Sequence, residues 1–163
     1  MNTGEMLLVI GATIILGLIF LSVNNTIGQN ELTLIQNELR ITGVELTQEI
    51  IENSLCLSFD EVLVDSVVVD LPGALTSPEF LGPEPGETPS SFDDVDDYNG
   101  YSDTVKTPLI NYVVTVSVAY VDTIQPDSII TSGPTFLKKM TVAISSPFFD
   151  DSIKNSILFS LSK

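Results

Sequence analysis

The sequence predicts an α+β protein in which a long N-terminal α-helix packs on a C-terminal antiparallel β-sheet. Three observations predict this fold class. An unbroken apolar segment covers Met6–Val23, and a stretch with helical periodicity and a polar face follows it to about Ser54. Beyond Asp60 the hydrophobic pattern changes to the period of two that is typical of strands. The helix is therefore hydrophobic in its first half and amphipathic in its second half.

The apolar segment is long enough to cross a bilayer as a helix. It contains no charged residue between Met6 and Val23, and one acid, Glu5, directly precedes it. The first 39 residues contain no Lys or Arg, so the basic flank of a signal peptide or membrane anchor is missing. A carboxylate at the edge of a membrane helix is costly unless a positive charge neutralises it.

The residues of this segment leave three interpretations open. It is a single-pass membrane anchor, an uncleaved signal peptide, or a helix that packs against copies of itself. Gly11 and Gly17 favour the third interpretation, because small residues allow neighbouring helices to approach closely. We assign residues 1–29 to this hydrophobic helix and residues 30–163 to a globular domain.

The globular domain is predicted to begin with an amphipathic helix over residues 30–55. Asn24, Asn25 and Gly28, which precede it, are weak helix formers, so the chain either bends there or continues as one rod of about 50 residues. Apolar and small residues of the second stretch recur at intervals of three and four: Leu32, Ile35, Leu39, Thr42, Leu46 and Ile50. Cys56, the single cysteine, lies between two leucines and is interpreted as a small buried hydrophobe.

Residues 60–163 are predicted to form the sheet. Strands are expected at Val62–Val69, Ile110–Val121, Phe136–Ser145 and Ser156–Ser162, and short links between the last three favour an antiparallel meander. Alternation predicts the residues that face the core: Ile110, Tyr112, Val114, Val116, Val118, Tyr120, Met140, Val142, Ile144, Ile157, Phe159 and Leu161.

Two loops separate the first predicted strand from the others. Residues 71–91 contain five prolines and are predicted to be an exposed loop without regular structure. Residues 92–103 form an acidic loop with two interpretations: it is a solvated turn, or its carboxylates hold calcium. The candidate metal ligands are Asp93, Asp94, Asp96 and Asp97.

Composition excludes several classes of function. The chain has 22 Asp and Glu against 6 Lys and Arg, a formal net charge of −16, which disfavours nucleic acid as a partner. It has no His and one Cys, so a His-based triad, an intrachain disulfide and a cysteine zinc site are excluded. No phosphate-binding loop or recognisable nucleophile is present, and we expect the protein not to be an enzyme. No cofactor is expected apart from the candidate calcium ion.

An acid at position five followed by an apolar helix resembles the type IV pilin superfamily, which includes pilins and secretion pseudopilins. Members of that superfamily lose a short basic leader after a glycine, which leaves glutamate at position five of the mature chain. The resemblance covers Met1 to about Ser54 closely and the α+β arrangement more loosely. The chain departs from many members at Met1, where they have Phe, and in lacking a proline near position 22. Gly4 as the cleavage-site glycine is the alternative, which would place Val9 at the acid position.

The resemblance implies that Met1 is a processed, methylated first residue and that the removed leader carried the missing cations. It implies a partner for Glu5, the N-terminal amine of a neighbouring subunit, and hence a homopolymeric extracellular pilus filament (fimbrium) whose subunits are membrane-embedded before assembly. The implied partners are further copies of the chain, an inner-membrane assembly machinery and a prepilin peptidase. The implied assembly residues are Met1, Glu5, Met6, Leu7, Leu8, Val9, Ile10, Gly11, Ile14, Gly17, Leu18 and Phe20. The alternatives are a non-polymerising, membrane-anchored extracytoplasmic binding module and a secretion-system pseudopilin.

Overall fold

A computed structural model describes residues 2–64, 68–149 and 151–161. It contains helix α1 (Thr3–Ser54), the short helix α2 (Glu61–Val64) and the strands β1 (Ser102–Lys106), β2 (Asn111–Tyr120), β3 (Leu137–Ser145) and β4 (Ile153–Ser160). The chain divides into two compact units, Met1–Ile41 and Thr42–Lys163, which are described separately below. The predicted α+β fold class is confirmed.

Helix α1 continues without interruption through Asn24, Asn25 and Gly28. The sequence left a bend or one continuous rod open there, and the rod is the one observed. No proline removes a backbone donor in this stretch. The Thr26 hydroxyl also donates a hydrogen bond to the Ser22 carbonyl oxygen at 2.9 Å, so this polar side chain is satisfied on the helix itself.

The four strands form one antiparallel sheet in the order β1-β2-β3-β4, so the predicted meander is confirmed. Strand β1 was not predicted, and its first two residues fall in the stretch assigned to the acidic loop. Its sequence is Ser-Asp-Thr-Val-Lys, which has one apolar residue and therefore no readable alternation. Pairing with the strongly apolar β2, Ser102 opposite Thr115, holds it in the sheet.

The core face of the sheet follows the predicted alternation. The residues predicted to face inward from Ile110, which precedes β2, to Tyr120 are all buried, and so are Met140, Val142 and Ile144 of β3. In β4 the inward-facing Ile157 and Phe159 are half-buried, as expected for an edge strand. Close packing of these apolar side chains supplies the main favourable free energy of folding for this unit.

Residues 42–54 of α1 pack on this sheet within the second unit. The buried helix positions are Gly43, Thr47, Ile51 and Ser54, while Leu46 and Ile50 of the predicted stripe are half-buried. The contact face is therefore rotated by about one residue from the predicted stripe, because Gly43 allows the closest approach. A Cβ atom at Gly43 would lie 2.8 Å from Ile153 Cδ1.

Leu32 and Ile35 of the amphipathic stripe are exposed in the first unit, and the prediction that Cys56 is buried is wrong. Cys56 is exposed, in the turn that ends α1, and so is Leu55. An apolar neighbour in sequence does not bury a residue when the chain is reversing direction at the surface.

The predicted strand Val62–Val69 is also wrong where the structure describes it. Residues 61–64 form helix α2, residues 68–70 have no regular structure, and residues 65–67 lie outside the described residues. Asp60 accounts for the difference because it starts the turn: its carbonyl oxygen accepts a hydrogen bond from Leu63 N at 2.9 Å. Its carboxylate accepts another from Val62 N at 3.4 Å, which is the preference of Asp for helix starts.

The proline-rich loop forms no strand and no α-helix in the described structure, as predicted. Two short 3₁₀ turns, Pro72–Ala74 and Pro78–Phe80, begin at prolines whose fixed φ suits the first position. The loop is not exposed throughout. Leu75 is buried in a cluster with Phe59, Val69 and Tyr120, so the loop closes one part of the core.

Replacing Gly43 with Leu is expected to destabilise the second unit by about 1–3 kcal/mol, because the new side chain overlaps Ile153 and Phe149. Urea unfolding of the detergent-solubilised chain, followed by tyrosine fluorescence, measures the free energy of unfolding. Gly28→Leu is the matched control, because nothing lies within 4 Å of a Cβ there. Equal unfolding free energies for the two variants would contradict the close helix–sheet contact.

Candidate functional site

The first unit presents a continuous apolar surface. Helix α1 is the one helix of the described chain that is long and apolar enough to cross a membrane, and none of its apolar window is buried. The predicted assembly residues other than Met1 and the two glycines are exposed: Glu5, Met6, Leu7, Leu8, Val9, Ile10, Ile14, Leu18 and Phe20. Met1 lies outside the described residues. Nothing lies within 4 Å of a Cβ placed at Gly11 or Gly17, so both present shallow, open surface.

Glu5 closes the start of the helix. Its Oε2 accepts a hydrogen bond from Asn2 N at 3.1 Å, and the Asn2 carbonyl oxygen accepts one from Glu5 N at 2.9 Å. The side-chain contact is the Glu half of a capping box, with Asn2 at the N-cap and Glu5 three residues later, and the backbone contact belongs to the first turn of the helix. The carboxylate also lies at the positive end of the helix dipole. Glu5 therefore has a local structural role, and any role in assembly is additional to it.

The Thr13 hydroxyl, within the apolar segment, is satisfied by the helix backbone. Thr13 Oγ1 lies 3.0 Å from the Val9 carbonyl oxygen and 2.9 Å from that of Ile10. In hydrocarbon each unsatisfied polar group costs several kcal/mol, so a hydroxyl that bonds to its own helix is suited to an apolar environment. The surface thus offers apolar packing area and, at its head, one carboxylate.

The second unit contains a buried charge network centred on Lys138. The Lys138 ammonium donates hydrogen bonds to the Phe59 carbonyl oxygen at 2.7 Å, to Asp60 Oδ2 at 2.9 Å and to Asp96 Oδ1. It also lies 4.7 Å from the centroid of the Phe59 ring and 5.2 Å from that of Tyr120. Lys138 and Asp60 have no solvent-exposed side-chain surface, 0% for both. A lysine this deeply buried requires such partners.

Tyr120 and Thr76 complete the environment of Asp60. The Tyr120 hydroxyl lies 2.9 Å from Asp60 Oδ2 and 2.9 Å from the Thr76 carbonyl oxygen. It has one proton, so it donates a hydrogen bond to one of these two oxygens at a time. Thr76 N and Oγ1 both donate to the Asp60 carboxylate. Burial and the charge of Asp60 raise the pKa of Tyr120, which therefore remains a neutral donor.

The acidic run is largely buried, so its interpretation as a solvated turn is wrong. Asp94, Asp96 and Asp97 are each at most 3% exposed, and Val95 between them is fully buried. Ser58 N donates to the Asp93 carbonyl oxygen, and Val95 N donates to the Ser58 carbonyl oxygen, both at 3.0 Å. These two hydrogen bonds hold the acidic run against Ser58, in the segment that follows α1. The aspartates of the run therefore face the protein interior.

Burial changes the protonation of these aspartates. Burial, with the charges of Asp96 and Asp97, raises the pKa of Asp94 to about 9, so Asp94 holds its proton at neutral pH. Burial also raises the pKa of Asp96, although the Lys138 ammonium opposes it. A neutral Asp94 reduces the excess of negative charge around the buried Lys138 ammonium.

The four predicted metal ligands do not form one site: Asp97 joins a different group of carboxylates, and Asp94 Oδ1 accepts a hydrogen bond from Asp97 N at 3.1 Å. Asp93 is exposed, Asp96 pairs with Lys138, and Asp97 Oδ2 accepts hydrogen bonds from Asp93 N at 3.0 Å and Asp94 N at 3.2 Å. Asp97 lies instead beside two acids of the proline-rich loop, Glu84 and Glu87. Burial and a hydrogen bond with Glu87 raise the pKa of Glu84 to about 7.

Sequence reasoning missed four charged residues of these clusters: Asp60, Glu84, Glu87 and Lys138. One signal was available for Lys138, because extending the period-two pattern of Met140, Val142 and Ile144 backwards places residue 138 on the core face. Glu84 and Glu87 carried no signal, since a proline-rich loop with two acids is typical of exposed chain.

Acidification is expected to weaken the second unit through Asp60. Burial opposes ionisation of Asp60. The charge and hydrogen bond of Lys138, together with the hydrogen bonds from Tyr120 and Thr76, outweigh this effect and lower the pKa of Asp60 below the ordinary 3.8. A lowered folded-state pKa means that protons bind the unfolded chain more readily. The contribution of Asp60 is therefore complete above the unfolded-state pKa and is lost as pH falls through the lower folded-state value.

Urea unfolding at about pH 6 and about pH 3 tests this expectation. Asp60→Asn should be less stable than the wild type at the higher pH and should lose less stability on acidification. Asp70→Asn, which changes an exposed acid, should behave as the wild type. An acid-induced loss that is the same in Asp60→Asn and in the wild type would contradict the assignment.

Comparison of the sequence and the fold with protein-family models, with curated proteins and with solved structures finds no match. The architecture, a long N-terminal apolar helix whose C-terminal turns pack on an antiparallel sheet, is compatible with a pilin-like protein.

Proposed function

We propose that this chain is the structural subunit of an extracellular type IV pilus-like filament and polymerises through its N-terminal helix. The observation that supports the proposal is the exposed apolar surface of Met6–Val23 with one acid, Glu5, at its head. A surface of this length is too apolar to remain in water, and lipid or other copies of the helix are the environments that would cover it.

The filament is proposed to form by moving the helix from lipid into a bundle of identical helices. Transfer from lipid to a helix bundle is nearly neutral in hydrophobic free energy, because both surroundings are apolar. Close packing at Gly11 and Gly17 and a specific polar contact must then favour assembly. The Glu5 carboxylate is the polar group available for that contact.

Glu5 is proposed to pair with the N-terminal amine of a neighbouring subunit. The capping hydrogen bond engages one carboxylate oxygen, Oε2, and a carboxylate offers about four lone-pair sites in total. A second, charge-assisted hydrogen bond is therefore compatible with the cap. Two opposite charges in an apolar core are tolerated when they are paired, and the pair would set the axial register of each added subunit.

The acidic second unit would form the outer surface of the filament. Before assembly, the apolar helix would lie in the inner membrane, where a prepilin peptidase and the assembly machinery act on it. A secretion-system pseudopilin has the same architecture and is the nearest alternative within the superfamily.

A binding module that is anchored by the same helix and never polymerises is the alternative from another class. A cleft of about 280 Å³ in the second unit favours it, since Leu46, Ile50, Tyr98 and Tyr101 line the cleft with mixed apolar and polar surface.

Immunogold electron microscopy of intact cells, combined with N-terminal sequencing of the purified protein, tests the proposal. The filament subunit is expected to label long surface fibres and to begin at a methylated Met1. Label confined to the cell envelope, with a longer unprocessed N-terminus, would identify the anchored module instead. Abundance in sheared fibres separates a pilin from a pseudopilin.

A further inference from the structure

We propose that the carboxylates of Glu84, Glu87 and Asp97 form a binding site for a hard divalent cation, and that this cation is calcium. The site lies between the proline-rich loop and the buried acidic turn and is independent of the proposed filament function. It differs from the site expected from the sequence, with which it shares Asp97 alone.

The three carboxylates converge at the right distance for one ion. Each offers one oxygen, and these oxygens all lie within 4.8 Å of one another. Calcium binds oxygen at about 2.3–2.6 Å, so two ligands of the same ion lie at most about 5 Å apart. The spacing of the three oxygens falls within that limit.

An unpartnered, buried oxygen points independently to a ligand. Asp97 is 1% exposed, and its Oδ2 is held by the backbone N–H groups of Asp93 and Asp94. Its Oδ1 is buried and accepts no hydrogen bond from the described residues, and the same holds for Glu84 Oε2. A buried carboxylate oxygen without a donor costs about 1–3 kcal/mol or more, and a bound cation would remove that cost at both atoms.

No described cation of the chain neutralises this cluster. The buried Lys138 pairs with Asp60 and Asp96 instead, and Lys139 pairs with Asp127. Glu87 shares hydrogen bonds with both Glu84 and Asp97, so a proton links these carboxyl groups when no ion is bound. A divalent ion would replace that proton and offset more of the charge of the ionised groups, which otherwise repel one another.

The ligand set selects the type of cation. All three ligands are carboxylates and the chain has no His, so soft and borderline transition metals find none of their preferred donors. Calcium accepts six to eight oxygens in irregular geometry and can complete its shell with water, whereas magnesium requires a near-ideal octahedron. A half-exposed loop carrying Glu84 and Glu87 suits the more tolerant ion.

The ion would fasten the loop to the core. Glu84 N already donates to Glu87 Oε2 at 3.1 Å, and Asn99 Nδ2 donates to the Leu81 carbonyl oxygen at 2.9 Å. Both contacts position the loop against the turn that carries Asp97. Calcium would add direct bonds between the two segments and so raise the stability of the second unit.

The test uses the full chain in non-ionic detergent, first stripped with chelator and then titrated with calcium. We expect the melting temperature to rise by roughly 5 °C or more at saturation. We also expect terbium, a calcium substitute, to bind one ion per chain and to luminesce when tyrosine is excited, with calcium displacing it. Tyr98 is a suitable donor because it directly follows Asp97 in the chain.

Two variants locate the site. Glu87→Gln keeps an oxygen that can accept the hydrogen bond from Glu84 N, and Asp97→Asn keeps one for Asp93 N and Asp94 N. Both variants are therefore expected to fold. Each is expected to weaken calcium binding at least tenfold and to abolish the thermal shift. Asp93→Asn is the matched control: it removes an exposed carboxylate from the same turn and should bind calcium as the wild type does.

Three outcomes would overturn the proposal. The first is a wild-type chain that shows neither a calcium-dependent thermal shift nor terbium luminescence, which would leave a proton shared among the carboxylates as the explanation. The second is wild-type affinity in both Glu87→Gln and Asp97→Asn. The third is an equal loss of binding in Asp93→Asn, which would indicate diffuse attraction to an acidic surface.

Discussion

Replacing Lys138 with Met is expected to lower the free energy of unfolding of the second unit by about 3–5 kcal/mol. Met fills a similar volume, so the loss comes from the charges. Without the ammonium, Asp60 and Asp96 either stay ionised in an apolar site or take up protons, and the Phe59 carbonyl oxygen loses its donor. Urea unfolding at neutral pH measures the change.

Lys139→Met is the matched control because Lys139 is the adjacent residue on the opposite face of β3. Its ion pair with Asp127 is at the surface, where the Asp127 side chain is 97% exposed. Such a pair contributes about 0–1 kcal/mol, so this variant should be close to wild type. A Lys138→Met variant as stable as Lys139→Met would show that the buried network does not stabilise the fold.

A double variant distinguishes lost pairing from lost packing. Adding Asp60→Asn to Lys138→Met removes one of the carboxylates that has lost its ammonium partner. Asp60→Asn should therefore lower the free energy of unfolding by less in the Lys138→Met background than in the wild type. Additive losses would mean that Lys138 and Asp60 do not interact energetically, in contradiction to the 2.9 Å contact between them.

Substitution of Glu5 is expected to abolish or strongly reduce incorporation into filaments while leaving the protein in the membrane. The hydrogen bond between Glu5 and Asn2 N makes the choice of substitution decisive. Gln is also accepted at the third position of a capping box, so Glu5→Gln keeps the local hydrogen bond to Asn2 N but removes the negative charge. Glu5→Leu removes both.

If the charge pairs with a neighbouring amine, Glu5→Gln and Glu5→Leu should both fail to assemble. If Glu5 acts through the cap alone, Glu5→Gln should assemble normally and Glu5→Leu should not. The measurement is the amount of each variant in sheared filaments relative to the membrane fraction. Glu31→Gln is the control, because it removes an exposed acid from the same helix outside the apolar segment.

The main elements of this fold were predictable because each follows a hydrophobic pattern that extends over many residues. The apolar run of α1 and the alternation in β2 and β3 each involve several consecutive residues that one misplaced side chain does not obscure. The meander follows from the short links between those strands. The same reasoning identified Glu5, since an acid beside a long apolar run is conspicuous.

The buried acidic centre was not predictable in the same way. Asp94, Asp96 and Asp97 look like a solvated turn until the bridge between Ser58 and the run, and the buried Lys138, are known. These partners are distant in sequence, 42 residues in the case of Asp96 and Lys138. Burial of a charge depends on such a partner, and composition alone assigns charged residues to the surface.

Two further differences between the predicted and the observed structure come from single residues. The valine-rich stretch that begins at Val62 predicts a strand, but Asp60 starts a helical turn there. The predicted helix face differs from the observed one by about one residue because Gly43 has no side chain to mark it as a contact position, although a Cβ there would lie 2.8 Å from Ile153 Cδ1.

A helical reconstruction of the filament by electron cryomicroscopy, at a resolution that shows side chains, tests the central claim most directly. We predict that Met6–Val23 of every subunit lies in the filament core and that the Glu5 carboxylate lies within about 3 Å of the N-terminal nitrogen of a neighbouring subunit. A filament in which Glu5 contacts its own Asn2 alone, or in which the N-terminal helix lies outside the core, would contradict the account.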